Sequence, residues 1–268
     1  MKDTSMKTPL IYLFFLVMAL LAGCKKNEPE KNPTGCLIKA ETLNGNPYRS
    51  YEYDEQNRLY RMVQYKTDNS ASPEKRYTFE YNQDGKVILF RETGLAAPFQ
   101  NFQYEPIYDE EGKVNSLTQS RLLNSGPQLV QTNNLEYDDR KRVTKFAWDA
   151  TYWRYEYDEN GNLTRWYIKV PAVPAEVLVA EYENYDGRQN LYLFSDAVRM
   201  VNLISGGGAS SQNPGSFKFY GPAGGVSQTG VVTYEYTEKD LPSQASVSLF
   251  SQSGQASTQV YGFEYECL

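Results

Sequence analysis

The sequence predicts an all-β fold: an antiparallel up-and-down meander of tight hairpins that closes, or nearly closes, into a barrel-like shell. Three observations lead there. A Tyr-Asp turn frame recurs along the chain. Aromatic residues are abundant, with 23 Tyr, 12 Phe and 3 Trp among 268 residues, and such side chains favour strands. Two cysteines, Cys36 and Cys267, lie at the two ends of the repeating region.

The first element is a leader. Lys2 and Lys7 precede an almost wholly apolar run from Leu10 to Ala22. That run is short for a membrane span but suits the core of a signal peptide. It ends in Leu21-Ala22-Gly23-Cys24, which resembles the lipobox of bacterial lipoproteins. The resemblance makes residues 1–23 a lipoprotein signal peptide and Cys24 the lipidated residue, the chain's contact with a membrane. An ordinary signal peptide or a short anchor helix, with a chance cysteine, is the alternative. Residues 24–35 follow as a polar, proline-bearing flexible tether. Their charged stretch is similar to the surface-export signals of Bacteroidota-type lipoproteins, and a plain solvated linker has the same composition. A di- or triacyl anchor holds a protein on a bilayer stably, whereas a single chain is marginal. The expected address is the cell envelope, as an outer-membrane lipoprotein that faces the periplasm or the cell surface.

The second element is the domain over residues 36–268. Removing Lys2, Lys7 and Asp3 with the leader leaves 25 basic and 32 acidic residues, a formal charge of −7. No basic cluster stands out, so nucleic acid is not expected as a partner. With Cys24 assigned to lipid, Cys36 and Cys267 are the remaining pair. Outside the cytoplasm such a pair normally oxidises, which predicts a Cys36–Cys267 disulfide; two free buried thiols are the alternative. Bridged α-carbons lie within roughly 7 Å of each other. The first and last strands must then be neighbours, and a meander achieves that only by curling round on itself.

The third element is the repeat. Tyr51-Glu52-Tyr53-Asp54-Glu55-Gln56-Asn57-Arg58-Leu59 matches Tyr155-Glu156-Tyr157-Asp158-Glu159-Asn160-Gly161-Asn162-Leu163 and Phe79-Glu80-Tyr81-Asn82-Gln83-Asp84-Gly85-Lys86-Val87. The frame returns at Tyr108–Val114 and Tyr137–Val143, and more loosely at Tyr185–Leu191 and Tyr236–Pro242. Asp or Asn follows the tyrosine (Asp54, Asn82, Asp109, Asp138, Asp158, Asp186). Three residues later comes Asn57, Gly85, Gly112 or Gly161, or Asp240 in the last copy, most of them types that tolerate positive φ. This is the chemistry of a type I turn closed by a left-handed bulge residue, with the carboxylate accepting backbone N–H bonds inside the turn. Lys141 and Gln189 fill the left-handed position less comfortably, so those two turns are expected to be strained or differently shaped. Each tyrosine should face its Leu or Val across the hairpin. Seven copies plus end strands give roughly fourteen to sixteen strands, with Leu37–Leu43 and Val260–Glu266 as the closing pair.

The frame resembles the YD repeat of RHS-type proteins. The layout more closely resembles small Bacteroidota-type lipoproteins carrying an uncharacterised domain of RHS/YD-like repeats. Further points of match are Cys36-Leu37-Ile38, Tyr185-Asp186-Gly187 followed by Asn190-Leu191-Tyr192, Ser211-Gln212-Asn213-Pro214 and a terminal Tyr-x-Tyr strand. The resemblance implies a porin-like or barrel-like β fold and no activity.

One segment departs from the repeat. In the insertion 193–230, Asp196–Ile204 is expected to form a short helix, and Gly206-Gly207-Gly208 with the Ser/Asn/Pro/Gly stretch behind it reads as loop. Such an insertion either plugs or lids the lumen or lies on the surface as a loop.

Little chemistry is on offer. Histidine is absent, which removes the commonest general base and transition-metal ligand. No phosphate loop, calcium loop or metal site is recognisable, and no cofactor is implied. Asp149, Asp158, Glu156, Glu181 and Glu183 are the candidate carboxylates for glycoside hydrolysis, but nothing singles out two of them and turn or strand-face roles fit them better. No catalytic residue is assigned. Trp148, Tyr152, Trp153, Tyr155, Trp166 and Tyr167 crowd one hairpin. Trp148, Trp153 and Trp166 are either a packed aromatic core or a stacking platform for a sugar or another flat ligand, with Arg154 expected on Trp166. Charges are expected on both faces of this hairpin (Arg165 and Lys169 on one, Arg154 and Glu156 on the other), which argues against a lipid-embedded wall. The expected function is a non-enzymatic binding or scaffold domain, with a glycan or an envelope protein as partner. The alternatives are a carbohydrate-binding module and a structural accessory of an outer-membrane complex.

Overall fold

The computed structural model describes residues 35–268 apart from 69–70, 96–99, 191 and 193–194. The leader, Cys24 and all of the tether but Gly35 lie outside the described residues. The domain is a closed antiparallel barrel of 16 strands, each hydrogen-bonded to its neighbours in sequence, with the last paired to the first. The first half comprises β1 (Cys36–Leu43), β2 (Asn46–Tyr53), β3 (Leu59–Tyr65), β4 (Pro73–Tyr81), β5 (Val87–Gly94), β6 (Phe102–Tyr108), β7 (Val114–Leu123) and β8 (Gly126–Tyr137). The second comprises β9 (Val143–Trp148), β10 (Thr151–Tyr157), β11 (Leu163–Lys169), β12 (Val177–Glu183), β13 (Ser216–Tyr220), β14 (Val226–Tyr236), β15 (Pro242–Ser251) and β16 (Ala256–Cys267).

Closure follows from the register of the end strands. Cys36 stands opposite Cys267 and Leu43 opposite Tyr261, and a disulfide joins Cys36 to Cys267. The two closing strands are therefore the expected ones. Closing the sheet leaves no edge strand exposed.

Six of the seven Tyr-Asp frames make hairpins at one end of the barrel, here the turn end, where the chain also enters at Cys36. Their geometry is shared. In the first, the Asn57 N–H donates to the Asp54 carbonyl at 2.9 Å and the Asp54 N–H to the Arg58 carbonyl at 2.9 Å. The Asp54 carboxylate accepts the N–H groups of Gln56 and Arg58. Asn57, Gly85, Gly112, Gly161 and Asp240 all have positive φ, and the register slips by one residue beside Tyr53, Tyr81, Tyr108, Tyr137, Tyr157 and Tyr236. Lys141 adopts φ 62° in a turn hydrogen-bonded like the others. There the cost is a side chain held in the left-handed region, and the shape is unchanged. Gln189 is different. Positive φ falls on Gly187 instead, and Gln189 bridges to Gln212, so this copy of the frame makes no hairpin.

Tyrosine and apolar residue do oppose each other, as at Tyr53 and Leu59. The hydroxyl, however, reaches past its own hairpin. Tyr81 donates to the carbonyl of Leu59 at 2.7 Å, Tyr108 to Val87 at 2.8 Å, Tyr137 to Val114 at 2.7 Å and Tyr157 to Val143 at 2.9 Å. The Lys or Arg before each apolar residue completes the link. Arg58, Lys86, Lys113 and Arg142 lie over the rings of Tyr81, Tyr108, Tyr137 and Tyr157 at 4.8–5.4 Å from their centroids. Each turn thus holds the next one, by a hydrogen bond and a cation–π contact.

Between β12 and β13 the chain leaves the wall. Helix α1 (Asp196–Ile204) is capped by Ser195, whose hydroxyl accepts the Val198 N–H, and it ends at Ser205 and the left-handed Gly206. Ala197, Val198, Met200, Val201 and Leu203 are buried in one cluster with Tyr51, Met62, Phe79, Phe90, Leu117, Leu135 and Tyr155 of the wall. The helix therefore stoppers the lumen, the first of the two expected placements. Its bounds differ from expectation. The wall is left after Glu183 and resumes at Ser216, so residues 216–220 and 226–230 are strand, not insertion. Phe217 and Phe219 account for this. They alternate inward, opposite Tyr182 and the fully buried Ala180.

Candidate functional site

The inner face of the wall grades from apolar at the turn end to polar at the other, the loop end. Cross-strand registers show the gradient. The row Leu135–Phe146–Trp153–Ile168 is apolar. The row Phe79–Phe90–Tyr104–Gln119–Gln131 ends in amides. The row Glu41–Arg49–Gln64–Lys75 is polar throughout.

Where the apolar and polar rows meet lies a pocket of about 160 Å³. Trp148, Trp153, Tyr104, Gln119, Gln131 and Asn133 form its walls, with Phe146 and Ile204, the last residue of α1, behind them. No charged side chain lines it. Trp148 and Trp153 meet edge to face at 4.9 Å, and Phe146 stacks on Trp153 at 5.5 Å. Asn133 donates Nδ2–H to the Leu117 carbonyl at 3.1 Å, and its Oδ1 accepts from Gln131 Nε2 at 2.7 Å. Gln119 Nε2 donates to the Tyr104 hydroxyl at 3.3 Å, and that hydroxyl donates to Glu92, which pairs with Lys75 at 2.7 Å. A second hollow, of about 450 Å³, lies at the loop-end rim of β14–β16, lined by Gln228, Leu249, Ser251, Gln255, Ala256 and Ser257.

Of the three tryptophans, the structure brings Trp148 and Trp153 to the pocket. Trp166 is 6.3 Å from Trp153, edge to face, but it lies under the insertion: a Cβ on Gly206 would stand 3.0 Å from its ring. Gly206 thus packs the returning chain against the rings of Trp166 and Trp153, and Trp166 is not part of the pocket lining. Arg154 is not on Trp166. The register puts it opposite Tyr167, where it lies 4.0 Å over that ring and pairs with Glu156 and Glu176 at 2.7 Å. The same register puts Arg165 opposite Glu156, so the charges of this hairpin share the outer face and the inner face is free of them. Outer-face ion pairs recur around the wall, at Glu52–Arg61, Glu80–Arg91, Glu136–Lys145, Arg165–Glu181 and Glu183–Lys218. Glu156, Glu181 and Glu183 are occupied in this way. Asp158 sits inside its turn, accepting the Asn162 N–H at 2.8 Å, and Asp149 occupies a left-handed position in the β9–β10 link. These carboxylates do not converge. Among the described residues no group of His, Cys, Asp or Glu is arranged to hold a metal.

A separate buried cluster ties the insertion to the wall. Glu41, 1% exposed, accepts the Tyr51 hydroxyl and lies 3.8 Å from Arg49. The Tyr192 hydroxyl of the insertion is buried beside the same carboxylate. Burial first, and then the Glu41 carboxylate, push the hydroxyls of Tyr51 and Tyr192 well above the usual tyrosine range. Both stay protonated, and Tyr51 donates.

Sequence reasoning missed Tyr104, Gln119, Gln131 and Asn133. The signal was present as polar residues at inward positions, Leu117-x-Gln119 and Gln131-x-Asn133-x-Leu135, but it needs the register to be read.

No family model matches the chain, and neither does any curated protein. Among solved structures, a porin-like protein from Bacteroides uniformis is similar in fold, with a TM-score of 0.53, 13% identity, and coverage of 88% of this chain and 99% of that one. A porin-like protein from Bacteroides vulgatus aligns at a TM-score of 0.40, with 13% identity over 86% of this chain and 99% of that one. A chain of the TcdB2-TccC3-Cdc42 structure aligns at 0.32, with 14% identity over 82% of this chain and 14% of that one. The first likeness shows a shared barrel fold and nothing finer.

Proposed function

We propose that this chain is a non-enzymatic lipoprotein of the cell envelope, anchored through Cys24, whose barrel is a stoppered recognition domain and neither a conduit nor a catalyst. One observation carries the reading: the lumen is filled by the chain's own helix, with Ala197, Val198, Met200, Val201 and Leu203 packed into the aromatic interior. The name porin-like, borne by the Bacteroides uniformis protein, raises the reading of a pore. Two features weigh against carrying it over. The plug leaves pockets where a channel would be, and the ion pairs on the outer wall are unsuited to the uncharged band that a lipid-facing barrel needs. Against catalysis stand the absence of histidine and two hollows without a carboxylate in their linings.

Two measurements test this reading. The full-length protein added to planar bilayers should give no stepwise conductance, and open channels would refute it. In cell fractionation the wild type should sediment with membranes and Cys24→Ser should appear in the soluble fraction. Sedimentation of both alike would remove the anchor.

A carbohydrate-binding module is the second reading, favoured by the placement of Trp148 and Trp153 beside three amides.

A further inference from the structure

We propose that the lumen pocket takes the ring of one neutral saccharide, its C–H face on one of the two perpendicular indoles, Trp148 and Trp153, its edge against the other, and its hydroxyls held by the amide carbonyls of Gln119 and Gln131. The inference rests on the recognition reading above and gives it a ligand class.

The orientation of both glutamines is forced. Asn133 spends its amide hydrogens on a backbone carbonyl, which can only accept, so Asn133 Oδ1 is the group that faces Gln131. Gln131 must therefore present nitrogen to it, and its Oε1 is left over. At Gln119 the logic is the same. The Tyr104 hydroxyl gives its one hydrogen to the Glu92 carboxylate, so it can only accept from Gln119 Nε2. Among the described residues neither glutamine Oε1 has a hydrogen-bond partner. The pocket thus offers two fixed carbonyl acceptors beside indole rings, with no cation in its lining.

That set selects its ligand. Two acceptors call for hydroxyl donors. The indole faces, negative at their centres, attract the C–H face of a sugar ring. A carboxylate or phosphate would bring acceptors to acceptors. A purely apolar ligand would cover the two carbonyls without pairing them, a loss of about 1–3 kcal/mol each. Size agrees. The roughly 160 Å³ is about half the ~300 Å³ at which pockets for drug-sized ligands begin, room for one ring of an oligosaccharide and not for a chain of them.

The test is a titration of tryptophan emission on the full-length lipoprotein, purified in an amine-oxide detergent that carries no sugar. Glucose, galactose, mannose and N-acetylglucosamine are the probes, with galacturonate and inorganic phosphate as anionic counterparts. At least one neutral sugar should give a saturable change in the millimolar range, and the anions should not. Trp153 packs on Phe146, so its removal risks the fold; Gln119→Leu and Gln131→Leu are the informative variants. Each should weaken binding at least tenfold with near-ultraviolet circular dichroism unchanged; Gln119→Leu should keep the wild-type melting temperature, whereas Gln131→Leu, which strands the buried Asn133 carbonyl, should lower it by only a few degrees. Silence of all four sugars, preference for an anion, or wild-type binding by both variants overturns the inference. The absence of conductance and the release of Cys24→Ser are read separately, so a failure here leaves the recognition reading standing and a failure there is not mistaken for this one.

Discussion

At the scale of single residues, two kinds of carboxylate do different work. Glu41 is buried with Arg49, Tyr51 and Tyr192 around it. Removing one member of such a cluster strands the others, which costs more than the pair contributes. Glu41→Ala should lower unfolding stability by about 3–5 kcal/mol, read from the urea midpoint, whereas Glu41→Gln, which still accepts from Tyr51, should lose less. The turn aspartates are at the surface. Partial burial pushes the carboxyls of Asp54 and Asp138 up, but the side chains and N–H groups of Arg58 and Arg142 more than offset it, so both lie below the usual aspartate range. The N–H of Lys113 leads the same effect at Asp109. Folded values below the unfolded value of about 3.9 mean that the unfolded chain binds more protons as acid is added. Stability from these turns is therefore complete above about pH 4 and is lost as the pH falls through the depressed folded values. Urea midpoints measured down the acid limb should fall, and Asp138→Asn should flatten that fall.

At the scale of elements, the hairpin was legible and its linkage was not. A period-two strand pattern, an Asp at the turn and a residue fit for positive φ announce a hairpin from a dozen residues, because all its contacts are local. The Tyr108 hydroxyl on the Val87 carbonyl spans two hairpins, and sequence spacing alone does not say which way a ring leans. The same limit explains Arg154. Its neighbour is set by a bulge at Glu156/Tyr157, and one residue of slip turns every later side chain to the other face. The copy at Tyr185 looked like a hairpin and is the entrance to the plug, because Gly187 and not Gln189 takes the left-handed conformation. If the tyrosines do link the turns, Tyr81→Phe, Tyr108→Phe and Tyr137→Phe should each cost about 0.5–1.5 kcal/mol while leaving the ring and its cation in place. Lys86→Ala combined with Tyr108→Phe should show coupling in a double-mutant cycle, since both act on one ring. Independent, additive losses would mean that each hairpin stands alone.

At the scale of the whole molecule, closure is secured twice, by the ladder between β1 and β16 and by the disulfide that ends it. The two act on different states. The ladder holds the folded barrel. The bridge spans 231 residues and mainly restricts the unfolded chain, a contribution of about 2–5 kcal/mol for a native disulfide. The ladder carries paired backbone groups from Leu37 to Leu43, so the barrel should stay closed without the bridge and simply sit nearer its unfolding threshold. Cys36→Ser/Cys267→Ser should therefore keep the wild-type far-ultraviolet circular dichroism and shift the urea midpoint downward, while the dependence of stability on urea steepens as the unfolded chain expands. A variant that instead loses β structure or exposes Trp148 and Trp153 to quencher before any denaturant is added would show that the ladder cannot close the barrel alone. The seam would then be the point at which the whole shell, plug included, comes apart.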